Sequence, residues 1–177
     1  MRLLSCCAVL AVLAGCAAQR AGLPADVPVG TLTIRWQRLV DASDKTCGRC
    51  SSTEQEVRKA YDHLQRLLAP AGLRVELETE RMDEAAFRQA PLESNKIWID
   101  GRLLEEWLGG QSSSSTCGGC CGDDTQCRTV AVGGQTYEAI PAALIVRAAV
   151  LAAGDALRRG DRPAEGGQLV PAGSVQP

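Results

Sequence analysis

The sequence predicts a mixed α/β domain that carries a cysteine-rich insertion. Short apolar or β-branched segments recur between longer segments of helical period. Their order is strand, helix, strand, helix, strand, hairpin, helix. A helix between the first two strands implies a parallel pair joined by a right-handed crossover. Residues 109–127 are rich in Gly, Ser and Cys and have no apolar period. A loop of that length is uncommon in a compact domain unless it is functional or cross-linked.

The chain opens with one positive charge, Arg2, then an uncharged and largely apolar run closed by small residues. That is the three-part layout of a secretory signal. The run is about a dozen residues, where a bilayer-spanning helix needs about 20. Leu13-Ala14-Gly15-Cys16 resembles the lipobox of bacterial lipoproteins. The resemblance implies cleavage before Cys16 and a membrane partner reached through lipid on that thiol. An ordinary secretory signal would instead end in an Ala-x-Ala-like site. Ala17 and Ala18 follow, neither of them the Asp of an inner-membrane retention signal. The expected location is therefore the cell envelope, on the outer membrane facing the periplasm in a Gram-negative host. Residues 1–15 are then signal, 16–29 lipidated terminus and tether, 30–157 the domain with its insertion at 109–127, and 158–177 a disordered tail.

Within the domain, Thr31 to Val40 reads as a strand with Leu32, Ile34 and Trp36 on one face. Asp41 to Thr46 is turn-like, and Cys47-Gly48-Arg49-Cys50 follows. Ser51 to Ala71 is the clearest helix, with Val57, Ala60, Tyr61, Leu64, Leu67 and Leu68 at helical spacing. Ser51-x-x-Glu54 and Thr53-x-x-Glu56 both match a capping box, and Pro70 and Gly72 stop it. Leu73 to Thr79 alternates as a half-buried strand. Asp83 caps a short helix to Gln89, and Pro91 to Asn95 is a loop. Lys96 to Ile99 is a strand entering an Asp100-Gly101 turn. Leu103 to Leu108 reads as a helical turn or a strand leading into one, and Gly133-Gly134 centres a hairpin within Arg128 to Ala139. Pro141 opens a last helix from Ala142 to about Leu157, with Leu144, Ile145, Ala148, Leu151 and Ala152 as its stripe.

Composition narrows the function classes. Net charge is −2 and no basic stripe is present, so no nucleic-acid partner is expected. Aromatic residues are scarce, so Trp36, Trp98 and Trp107 are expected to be the large core anchors. His63 is the only histidine and lies beside Asp62, away from the Leu stripe; it reads as a solvated surface residue. Glu105 and Glu106 likewise read as surface charges. Cys6 and Cys7 leave with the signal, and Cys16 is lipidated. Six of the nine cysteines then remain. Six thiols in an oxidising compartment can all pair, with 15 connectivities.

Cys47 and Cys50 stand where a strand gives way to a helix. A helix N-terminus carries partial positive charge and orphan N–H groups. A thiolate there is stabilised, so its pKa falls, and Lys45 and Arg49 add charge nearby. Cys47, at the loop end, is the expected catalytic nucleophile, and Cys50 the expected resolving thiol of an exchange reaction with a thiol or disulfide protein partner. The bland alternative is a structural disulfide or half of a metal site.

Here the chain resembles the thioredoxin-like superfamily, through Thr46-Cys47-Gly48-Arg49-Cys50 between strand and amphipathic helix and through Lys96 to Arg102. The resemblance implies a three-layer βαβαββα domain. It also exposes a departure, because Ser94 and Asn95 stand where those proteins place a cis-proline. More closely, the chain resembles a bacterial family, domain of unknown function 2703. Its marks include Trp36-x-Arg38-Leu39-Val40-Asp41, Cys47-x-x-Cys50, Pro91 to Asn95, Leu104 to Gly109, Cys127 to Val130 and Tyr137 to Pro141. These identify a family and imply no activity.

Cys117, Cys120, Cys121 and Cys127 form a second cluster. Four sulfurs suit a soft ion, zinc or copper(I), as cofactor. The spacing is not that of paired zinc knuckles, and export favours disulfides stapling the loop. Three functions remain open from sequence: thiol–disulfide exchange through Cys47 and Cys50, heavy-metal binding, and a structural lipoprotein with inert disulfides. A further arrangement joins the two clusters, with Cys117 to Cys127 exchanging with Cys47 and Cys50 or sharing a metal with them.

Overall fold

The computed structural model describes residues 30–117 and 124–159. The signal, the lipidation site Cys16, the tether, Cys120 and Cys121, and all but the start of the tail lie outside the described residues.

The first strand, β1 (Gly30–Leu39), organises the domain. Its alternating pattern buries Leu32, Ile34 and Trp36 on one face. It pairs in parallel with β2 (Leu73–Met82) and antiparallel with β3 (Lys96–Ile99), which pairs with the two-residue β4 (Arg102–Leu103). The sheet order is β2-β1-β3-β4. The Asp100-Gly101 turn between β3 and β4 uses positive φ at both residues, 50° and 76°, the conformation that a two-residue hairpin needs to match strand twist.

Helix α1 (Gly48–Leu68) connects the parallel pair and buries Val57, Ala60, Leu64 and Leu68 against the sheet. It continues as a short 3₁₀ turn at Ala69–Ala71 and stops at Gly72, whose φ of 73° only glycine adopts without strain. Helix α4 (Ala142–Arg159) lies alongside α1 on the same sheet face, burying Leu144, Ile145, Ala148, Ala149, Ala152 and Ala153. Small residues there allow the two helices to approach closely. The buried stripe differs from the expected one. Leu67 and Leu151 are both 45 % exposed.

The neither-buried-nor-free face of the sheet is polar. Thr33, Arg35 and Gln37 pair with Glu76, Glu78 and Glu80. Trp98 projects here rather than into the core, 4.2 Å beneath the Arg35 guanidinium. Trp107 is half-buried, with its indole N–H donating to Ile99 O at 3.0 Å. Of the three tryptophans Trp36 is buried in the core and Trp107 packs against it, while Trp98 does neither. Among the described residues, the helix that covers this face lies at its end. There the short helix α2 (Glu84–Gln89), capped by the Asp83 carboxylate on Ala86 N at 2.8 Å, sets Phe87 against Leu39 and Met82. Among the described residues the expected third layer is thus one helix of six residues.

After the helical turn α3 (Leu104–Trp107), the stretch expected to be a loop forms a strand. β5 (Gln111–Thr116), β6 (Gln126–Val132) and β7 (Gln135–Tyr137) make a second, three-stranded antiparallel sheet. β5 is almost wholly exposed, so no apolar alternation marked it; its backbone pairing with β6 defines it. The Gly133-Gly134 hairpin is as expected, with φ of 59° and 81°. Gly110, before β5, has its Cα against the Ala131 carbonyl, and a Cβ would collide with it. Glu105 is not a surface charge. It is 3 % exposed and ion-paired with buried Arg128 of β6.

The two capping boxes expected at the start of α1 are not formed, because Cys47 is the N-cap and the helix begins one turn earlier. Thr53 and Glu56 cap the other helix instead. Thr53 Oγ1 accepts Ile140 N at 3.2 Å, and Glu56 Oε2 accepts Ala142 N at 2.9 Å. Lys59 and the Ala142 amide together hold the Glu56 carboxyl below its ordinary range. A buried N–H left without its acceptor costs about 1–3 kcal/mol. Thr53→Val keeps the shape of this fully buried side chain and removes the acceptor. Urea unfolding of that variant should show a loss of about that size, with an unchanged dependence on denaturant.

Candidate functional site

Cys47 and Cys50 are placed by the loop that leaves β1. Asp41 folds it: the carboxylate accepts the amides of Ser43 at 2.8 Å and Lys45 at 2.9 Å, and its own amide donates to Lys45 O. Arg38 reaches from β1 to Asp44 at 3.3 Å and to Glu54 of α1 at 3.9 Å. Thr46 Oγ1 donates to Leu39 O at 2.7 Å. A short polar segment of turn-forming side chains thus delivers Cys47 to one position, the N-cap of a 21-residue helix.

The two thiols have unequal surroundings. Neither is in a disulfide; Cys47 is half-buried and Cys50 is 2 % exposed. Cys50 lies one turn inside the helix, with Ser94 Oγ 4.0 Å from its sulfur. Its pKa is driven far above the ordinary thiol value of 9.0. The largest cause is its hydrogen bond to Cys47, then burial, then the charge on Cys47. The Leu39 backbone and the Thr46 hydroxyl pull the other way without offsetting these. Cys50 therefore holds its proton, while Cys47 is the thiol nearer to solvent. This is the division of labour that thiol exchange requires.

A cleft of about 430 Å³ opens beside Cys47, lined by Leu39, Asp41, Lys45, Thr46, Glu84, Phe87 and Arg88. Its lining mixes apolar Leu39 and Phe87 with the charged side chains Asp41, Lys45, Glu84 and Arg88. On the other side, Arg49 is pinned to the insertion. Its Nη2 donates to Thr116 O at 3.2 Å and pairs with Glu138 at 3.0 Å, and Ser115 Oγ donates to the same carboxylate at 2.7 Å. The residue between the cysteines thus fastens the motif to the second sheet.

Of the second cysteine cluster, Cys117 and Cys127 form a disulfide. It takes two of the four sulfurs expected as metal ligands, and Cys120 and Cys121 lie outside the described residues. Among the described residues no group of three or more His, Cys, Asp or Glu is arranged to hold a metal ion. His63 is exposed, as expected. Ser94, Thr46, Glu138, Leu39 and Phe87 are site neighbours that the spacing of the cysteines did not disclose. Ser94, Leu39 and Glu138 do lie within the segments that carry the family resemblance.

A mixed α/β domain with a dithiol at a helix N-terminus defines a class of fold and site. The chain belongs to the family described as Domain of unknown function (DUF2703), whose model matches residues 32–149. It is 39 % identical over 114 residues to an uncharacterized protein of Archaeoglobus fulgidus, a match covering 64 % of this chain and 82 % of that protein. No solved structure matches the chain.

The buried Cys50 proton has a measurable consequence. With both thiols reduced, the folded protein keeps a proton that the unfolded chain releases near pH 9.0. Stability is thus full below that pH and declines as pH rises through and beyond it. The slope approaches about 1.4 kcal/mol per pH unit for one retained proton. Denaturant midpoints of reduced wild type and Cys50→Ala, measured from pH 7 to 10, should diverge in slope, with the variant flatter.

Proposed function

We propose that this chain is a lipid-anchored thiol–disulfide exchange protein of thioredoxin-like architecture, acting through Cys47 and Cys50. The observation that carries the reading is the pairing of a half-buried N-cap thiol with a buried, proton-holding thiol one turn on. The main sheet supports it. Its order, β2-β1-β3-β4 with β1 parallel to β2 and antiparallel to β3, suits a thioredoxin-like core in which the dithiol leaves the carboxyl end of the central strand. Where such proteins place a proline, Ser94 sets a hydroxyl 4.0 Å from the Cys50 sulfur, a polar partner that proline lacks.

In the forward reaction the Cys47 thiolate attacks a partner disulfide. One S–S bond breaks, a mixed disulfide forms, and the partner's second sulfur leaves as thiolate. Cys50 gives its proton to that leaving sulfur and attacks Cys47, releasing the reduced partner. Two electrons pass from the dithiol to the partner, and the Cys47–Cys50 disulfide remains. The cleft beside Cys47 offers Phe87 and Leu39 as apolar contacts, among charged neighbours, for the residues that flank the partner's cysteine.

Stopped-flow reaction of the reduced protein with a small aromatic disulfide tests this. Cys47→Ser should slow the reaction by about tenfold or more, and Cys50→Ser should stop at a mixed disulfide on Cys47. A Cys47→Ser protein that reacts at the wild-type rate would defeat the proposal. The anchor is tested separately: Cys16→Ser should move the expressed protein from the membrane fraction to the soluble fraction. Wild-type membrane association in that variant would remove lipid on Cys16 from the account.

A further inference from the structure

We propose that Cys117–Cys127 is a second redox centre, reduced from inside the protein by the Cys47–Cys50 dithiol. This rests on the exchange reading above and adds its internal acceptor.

Three observations place the two sulfur pairs in one neighbourhood. Leu39 and Phe87 line the cleft beside Cys47, and the same two side chains pack with Met82, Cys117 and Cys127 as one cluster. Leu39 is also the residue whose backbone contacts the Cys50 thiol. Arg49, between the two active cysteines, donates to the carbonyl of Thr116, the residue before Cys117.

The disulfide is closed to reagents from outside, with Cys117 1 % and Cys127 3 % exposed. It is also not needed to set the strands. The β5–β6 ladder already places Ser115 opposite Cys127 and Thr116 opposite Gln126. A bridge shielded from solvent and packed on the wall of a reactive dithiol is suited to exchange with that dithiol. Thiol exchange is governed by access as much as by potential.

The reaction is internally balanced. The Cys47 thiolate attacks Sγ of Cys117 or Cys127, the S–S bond between those two breaks, and the displaced sulfur leaves as thiolate. Cys50 transfers its proton to the departing sulfur and attacks Cys47. The products are a Cys47–Cys50 disulfide and two thiols, at Cys117 and Cys127. The dithiol loses two electrons and the former disulfide gains them. An external dithiol then recharges Cys47–Cys50, so that its two electrons have passed through this pair to Cys117 and Cys127 and all four sulfurs end as thiols.

The test uses the full chain with Cys120→Ser and Cys121→Ser, so that only two pairs exchange. The oxidised protein is treated with dithiothreitol, quenched by alkylation at intervals, and each pair is followed by peptide mass. Reduction of Cys117–Cys127 should lag behind that of Cys47–Cys50 and slow at least about tenfold in Cys47→Ser. Serine suits an N-cap, so that variant should fold. Cys50→Ser should accumulate a peptide cross-linked from Cys47 to Cys117 or Cys127. Arg49→Ala, which keeps every sulfur and releases the tie to Thr116, should slow the transfer by a larger factor than it slows reduction of Cys47–Cys50 by dithiothreitol. If Cys117–Cys127 is reduced equally fast with and without Cys47, while Cys47–Cys50 cycles normally, the relay is wrong and the exchange reading survives. If Cys47–Cys50 does not cycle at all, both fall.

Discussion

Asn95 ties the domain together. Its backbone sits at a φ of 62°, a conformation that asparagine tolerates better than most residues. In that position its amide N–H donates to Gln37 O of β1 at 2.9 Å, and its side-chain oxygen accepts the buried Trp36 indole at 3.2 Å. Its side-chain NH₂ donates to Glu138 O at 3.3 Å. One residue thus joins the central strand, the start of β3 and the segment leading into α4. The residue before it, Ser94, is turned toward Cys50. The residue on its far side, Glu138, holds Arg49. The dithiol is framed from two directions by groups whose positions this one side chain fixes.

The insertion is part of that frame. Its sheet is anchored by the buried pair Glu105–Arg128, with Ser112 donating to Glu105 at 2.8 Å and Arg128 donating to Leu92 O at 3.4 Å. Two charges removed from water gain little net stability, but removing one leaves the other stranded at a cost of several kcal/mol. The pair therefore acts on arrangement more than on stability. It couples α3 to β6, and β6 carries Cys127 beside the wall of the reactive cleft.

The chemistry of the dithiol follows from the order of burial along one helical turn. The N-cap position is open to a reactant and close to the helix dipole. The position one turn inside faces the core, where a negative sulfur would be poorly solvated. A Cys-x-x-Cys spacing at the start of an amphipathic helix produces that asymmetry without further machinery. The surrounding residues modulate it: Thr46 and the Leu39 backbone soften the cost of charge on Cys50, and Ser94 supplies a polar neighbour where the core would otherwise be apolar.

Local pattern in the sequence determined the mixed α/β class, the parallel pair, both long helices, the glycine-centred hairpin and the Asp83 cap. Each rests on a periodicity or a turn residue whose effect reaches only a few positions along the chain. It also placed Cys47 and Cys50 at a strand-to-helix junction, which local signals locate. Tertiary structure decided the rest. β5 has no apolar face to announce it and exists because β6 offers backbone partners. Glu105 is charged and reads as exposed until Arg128, 23 residues later, meets it. Thr53 and Glu56 match a local cap, yet the groups they satisfy belong to another helix more than 80 positions away. Contacts of that reach depend on how elements stack, and only the packed fold shows which residues surround the cysteines.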